Sequence, residues 1–138
     1  MGINLSSLIN IFMKMEPEKT YFLNKKTGQV LSFILSNLSK KDMEMLEGIK
    51  KDKDSWISLP KRPNSEYYRD MEEFIPTLND IKLQERLTTA LNSGRYASKS
   101  FRDQLRGKNY ETEKWNDFQR KKMKLFVISF LRQSGFKI

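Results

Sequence analysis

Two residue types are missing from this 138-residue chain, which has no cysteine and no histidine. Without cysteine there is no disulfide, so the redox compartment cannot be read from the sequence, although a reducing cytosol suits it. Zinc and iron–sulfur centres lose their usual ligands, and a cysteine nucleophile or a histidine-dependent triad is excluded. Ser–Lys chemistry, paired carboxylates and magnesium sites pass this filter. Long hydrophobic runs are missing too. The longest, residues 125–131, contains Ser129 and falls far below the roughly 18 to 20 residues of a membrane helix. No cationic stretch precedes an apolar one at the start, so no signal peptide is expected and a cytoplasmic location is. Residues 1–6 match the short myristoylation pattern, but they also read as the opening of a helix, which is the reading adopted.

What the chain does contain is ordinary globular material, with 38% apolar and 31% charged residues. That suits a single α+β domain over 1–138, long enough to bury a core without staples. Its net charge of +9 is unevenly spread. Residues 1–78 hold 12 Lys/Arg against 11 Asp/Glu, whereas residues 79–138 hold 14 against 6. A one-sided basic field attracts nucleic acid, anionic membrane or acidic protein.

Apolar spacing supplies the element plan. Leu5, Leu8, Ile9, Phe12 and Met13 recur at helical intervals and stop before Pro17. Two β-prone runs, residues 21–24 and 29–33, flank a turn ending at Gly28 and read as an antiparallel hairpin. Ser39 opens a helix with Met43, Leu46 and Ile49 on its apolar side, and residues 55–59 alternate as a third strand. After the basic linker at residues 61–65, a division of the chain into a hairpin half (1–62) and a strongly basic helical half (63–138), helices are expected throughout. The first is capped by Ser65, with Tyr67, Met71 and Phe74 inward. The second is capped by Asn79 or Asp80, with Leu83, Leu87, Ala90 and Leu91 inward. The last runs from about Thr112 to Gln133, with Trp115, Phe118, Met123, Phe126 and Phe130 on one face and Arg120, Lys121, Lys124 and Arg132 on the other. The expected architecture is thus a short N-terminal helix, a small antiparallel sheet of about three strands, and four helices around one core.

Between those last two helices lies the most informative segment. Arg95, Lys99, Arg102 and Arg106 are spaced by four, three and four. On a continuous helix they fall within roughly 60° of arc and span about 16 Å, with Ala97, Phe101 and Leu105 opposite. Like charges so placed repel by a few tenths of a kcal/mol per pair, so the stripe calls for an anionic partner.

The order of short motifs carries a resemblance. Tyr21-Phe22-Leu23-Asn24-x-x-Thr27-Gly28 is followed by Trp56-Ile57-x-Leu59-Pro60 and Arg69-Asp70-Met71-x-x-Phe74-Ile75. Gly94-Arg95-x-Ala97, Phe101-Arg102-Asp103-x-Leu105 and Trp115-x-x-Phe118 complete the series. Together they resemble the bacterial uncharacterised protein family UPF0158, over nearly the whole chain. The family hairpin usually has acidic residues where this chain has Asn24 and Lys26. It usually has Gly, Phe and Arg where this chain has Tyr96, Ser98 and Ser100, which marks a distant member. The resemblance implies no activity, but the family pattern is basic around Arg95, Lys99 and Arg102.

Three functional readings follow, beside the plain alternative of a solvated basic face. The leading one is non-catalytic binding of nucleic acid by its phosphates, through Arg95, Lys99, Arg102 and Arg106, assisted by Arg120, Lys121 and Lys124, with Tyr96 and Tyr110 available for stacking. No aromatic RNA-binding signature, paired-glycine loop or zinc-finger pattern provides sequence-specific readout. The second is an interaction module or homo-oligomer in which the acidic stripe Glu66, Asp70 and Glu73 meets the basic one. Its rival is simple pairing of Glu73 with Arg69. The third is a carboxylate or divalent-metal enzyme built on the same acids with Glu72. No motif supplies its cleft, and adjacent Ser98 and Lys99 point about 100° apart. No catalytic residue, metal ligand or cofactor is therefore assigned.

Overall fold

The computed structural model describes residues 3–138, so Gly2 of the myristoylation pattern lies outside the described residues. The fold is α+β. Among the described residues there are six α-helices and one three-stranded antiparallel sheet, and the chain divides into two compact units, Met1–Lys61 and Arg62–Ile138. No helix among those residues is long and apolar enough to cross a membrane.

In the first unit, α1 (Leu5–Met13) is capped by Asn4, whose side chain accepts the Ser7 N–H at 3.0 Å. β1 (Lys19–Asn24) pairs with β2 (Val30–Ile34) on one side and β3 (Trp56–Ser58) on the other, in the order β2-β1-β3. The register sets Tyr21 opposite Ser32 and Leu23 opposite both Val30 and Ile57. Tyr21, Phe22 and Leu23 are all buried. Successive strand residues face opposite sides, so this central strand is covered on both. The hairpin turn depends on two residues. Asn24 Oδ1 accepts the N–H groups of Lys26 and Thr27, and Gly28 takes φ 80°, a left-handed conformation open to glycine. Ser39 caps α2 (Lys40–Lys51) by accepting the Asp42 N–H. Leu46 and Ile49 of that helix join Phe22 and Phe33 in one apolar cluster. Met43 does not: it is exposed, leaving the buried side of α2 narrower than its apolar spacing suggests.

The second unit is helical. α3 (Asn64–Phe74) starts two residues earlier than a Ser65 cap implies. Pro63, with φ −62° and extended ψ, holds the N-cap position, and Ser65 lies inside the first turn. A 3₁₀ turn at Ile75–Thr77 follows. Asp80 caps α4 (Ile81–Leu91) through the Leu83 N–H at 3.0 Å, while Gln84 Nε2 donates to the carbonyls of Ile75 and Leu78. α5 spans Ala97–Leu105 and α6 spans Asn109–Gln133. Met71, Phe74, Leu83, Leu87, Leu91, Phe101, Leu105 and Trp115 form the core of this unit. Its aromatic centre is tight: the Trp115 ring lies 4.9 Å from that of Phe101 and 5.0 Å from that of Phe74.

On α6 the buried set is Trp115, Met123, Val127 and Leu131, with Phe118, Phe126 and Phe130 half-buried beside it. Steps of four residues (123, 127, 131) carry the buried line along this long helix. Attention to aromatics alone passes over Val127 and Leu131.

Candidate functional site

The four spaced cations do not share one continuous helix. Gly94, at φ 66°, opens a 3₁₀ turn (Gly94–Tyr96) that carries Arg95, so α5 itself begins at Ala97. At the other end Arg106 is the C-cap with ψ 129°, and Gly107 at φ 80° turns the chain away. Only Lys99 and Arg102 lie on α5, where their spacing of three keeps them on one exposed face. Ala97, Phe101 and Leu105 are buried on the opposite side, so the helix docks as its pattern predicts.

The ends of the stripe are partly occupied. Arg95 lies 4.9 Å from the centroid of the exposed Tyr96 ring and donates to its hydroxyl at 2.8 Å. Arg106, 82% exposed, meets Asp103 at 3.0 Å, a pair worth little in water. Among the described residues no carboxylate pairs with Arg95, Lys99 or Arg102. On α6, Lys121 and Lys124 are exposed, whereas Arg120 is half-buried and engaged within the chain.

The acidic stripe turns elsewhere. Asp70 is buried and receives both terminal nitrogens of Arg62: Nη2 donates to Oδ1 at 2.9 Å and Nη1 to Oδ2. Arg62 Nε donates to Glu66 at 3.0 Å. Burial alone would lower the pKa of Arg62, but the hydrogen bonds and charge of Asp70 and Glu66 outweigh it and hold the pKa above its ordinary value. The same guanidinium lies 5.2 Å from the centroid of the Tyr67 ring. Burial raises the pKa of the Tyr67 phenol, and the charge of Arg62 tempers that rise. Glu73 pairs with Lys122 of α6 at 2.8 Å, a bond that holds its pKa below the usual carboxylate range, with a lesser contribution from Arg69. Sequence reasoning assigned no role to Arg62 or Lys122. Arg62 lay in an apparent linker, four and eight residues before its partners. Lys122 lies 49 positions from Glu73, beyond any local spacing rule. Among the described residues no group of three or more acids could hold a metal ion.

A cleft of about 180 Å³ opens between α3, α5 and α6, lined by Tyr67, Met71, Ser98, Phe101, Arg102, Trp115 and Gln119. Its deep side is apolar. Ser98, Arg102 and Gln119 add a hydroxyl, a guanidinium and an amide, and none of the three side chains has a hydrogen bond or ion pair among the described residues. Arg102 therefore belongs both to the basic face and to the cleft.

Comparison with known sequences now settles the lineage. The pattern of the family described as "Uncharacterised protein family (UPF0158)" matches residues 1–138. The chain belongs to this family. A UPF0158 protein of Chlamydia pneumoniae is 23% identical over 135 residues, which is 97% of this chain and 41% of the relative. A UPF0158 protein of Chlamydia trachomatis is 24% identical over 132 residues, 94% of this chain and 40% of that one. This UPF0158 chain thus spans about two fifths of the length of the curated relatives it matches. No solved structure matches it.

Proposed function

We propose that this UPF0158 chain binds nucleic acid by its phosphate backbone, without catalysis, in the cytoplasm. The observation that carries the reading is the set of exposed cations on and beside α5: Arg95, Lys99 and Arg102 have no carboxylate partner among the described residues. An unpaired cationic surface gains most from an anion that brings several charges at close, regular spacing, and a nucleic-acid strand does so. Arg106 adds a fourth charge once phosphate displaces the exposed Asp103, and Lys121 and Lys124 add charge from α6. The alternative, a self-associating module, needs free carboxylates to face this surface. Asp70 is spent on Arg62, and Glu73 on Lys122.

The test is fluorescence anisotropy with short labelled single-stranded and double-stranded DNA and RNA over a salt series. Log affinity should fall linearly with log salt, by about 0.7 per phosphate neutralised on a single strand and about 0.9 on a duplex. Arg102→Glu should weaken binding at least about tenfold and flatten the slope, with the circular dichroism spectrum unchanged. Unchanged affinity in that variant, or no binding near about 50 mM salt, would defeat the proposal.

A further inference from the structure

We infer that the cleft between α3, α5 and α6 receives one unstacked nucleobase of a single strand, while Arg102 holds a phosphate beside it. This rests on the reading above and adds what the phosphates alone cannot supply, a reason to prefer single strands. Three properties of the cleft select the occupant.

Size comes first. About 180 Å³ is well below the roughly 300 to 1,000 Å³ of sites for drug-sized ligands and suits a single ring system. The lining is the second. Met71, Phe101 and Trp115 form an apolar and aromatic depth, with Tyr67 at the side, which favours a flat π-bearing group over a hydrated ion. The third is the polar rim, whose side chains have no partner among the described residues and are open to a ligand. The Ser98 hydroxyl both donates and accepts, and the Gln119 amide offers two donors and an acceptor. Such groups match the mixed donor and acceptor edge of a base. A free phosphate leaves the apolar depth unfilled, and a hydrocarbon leaves Ser98, Gln119 and Arg102 unmatched.

The walls are held in place. Arg62, fixed by Asp70 and Glu66, lies against Tyr67, and the Trp115 ring is set between Phe74, Phe101 and Phe118. A preformed cavity takes a base without the ordering cost of loose side chains. In a duplex the base edges are paired and stacked, and extracting one costs free energy that a single strand has largely avoided. The ribbon of cations would then hold the backbone, and the cleft would hold one base in place of several stacked on a flat sheet.

The experiment compares a short single-stranded DNA with an oligomer of equal length that is abasic throughout, using anisotropy and the unaltered protein. The base-bearing strand should bind about tenfold more tightly, the gain expected from one seated base. Ser98→Phe, which places a ring in the cleft mouth, should bring that ratio towards one. Equal affinities for the two oligomers would overturn the cleft assignment while leaving the phosphate reading intact. A preference that survives Ser98→Phe in a folded variant would also overturn it, by placing the base elsewhere. Binding of neither oligomer would overturn the phosphate reading and this one with it.

Discussion

Asp70→Asn is the substitution that most directly probes the physics of the second unit. It keeps the shape of the side chain and removes its charge, leaving Arg62 with half of its anionic support. The two side chains are only 6% and 3% exposed, so water cannot replace what is lost. Removing one partner of a buried pair costs about 3 to 5 kcal/mol, because the survivor stays desolvated. Here Glu66 still accepts from Arg62 Nε at 3.0 Å and is itself about one third exposed. The loss should therefore fall at the lower end, about 3 kcal/mol. Against a total stability of roughly 5 to 15 kcal/mol that is a large fraction. At about 3 °C per kcal/mol for a chain of this length, Tm should drop by around 10 °C. Urea unfolding followed by tryptophan fluorescence in a Trp56→Phe background, where Trp115 alone reports, and by far-ultraviolet circular dichroism gives the number. The double variant Arg62→Met/Asp70→Leu should recover most of the loss, since an apolar replacement leaves no charge stranded. A loss below about 1 kcal/mol for Asp70→Asn, the range of exposed pairs, would refute the argument from burial.

Two further outcomes are expected. Asp80 is held below the usual carboxylate range by the Leu83 N–H and then by Lys108, and Glu73 by Lys122. The folded state therefore releases these protons more readily than the unfolded chain. The stabilisation is complete above the ordinary carboxylate values near pH 4 and is lost as pH falls through the lowered ones. The urea midpoint should decline below about pH 4, and Asp80→Asn, which keeps a capping side chain, should make that decline shallower; an unaltered acid profile would count against it. Phe101→Ala removes a fully buried ring set 6.4 Å from Phe74 and 4.9 Å from Trp115, and should cost about 3 to 5 kcal/mol in the same urea experiment. A cost under about 1 kcal/mol would show that α5 is not anchored by that ring.

The elements of this fold were legible because their signals are local. Leu8, Ile9 and Phe12 on α1, the Asn24–Gly28 turn, Ser39 and Asp80 as caps, and Leu83, Leu87, Ala90 and Leu91 on α4 all act within a few residues of themselves. The candidate site was legible only in part. The spacing of Arg95, Lys99, Arg102 and Arg106 announced a basic face, yet treated it as one unbroken helix. Gly94 and Gly107, both at positive φ, confine the helix to its middle and re-aim the two end residues. The cleft left no trace in any single segment. Tyr67, Ser98 and Gln119 come from three helices and share no periodicity, so only the packing of α3, α5 and α6 brings them together. The same holds for Lys122 and Glu73, 49 positions apart. Arg62 is different, since Glu66 and Asp70 follow it by four and eight residues, and it escapes notice because it stands just before the helix that carries them.

The division of the chain at Lys61 and Arg62 has a practical corollary. The sequence contains two tryptophans, and one falls in each compact unit: Trp56 beside the cluster of Phe22 and Phe33, Trp115 inside the cluster of Phe74 and Phe101. Each half thus carries its own optical reporter, and replacing either indole with phenylalanine leaves a signal from the other alone. Melting curves recorded from the two single-tryptophan proteins would coincide if the halves unfold as one cooperative body, and would separate if each keeps its own midpoint.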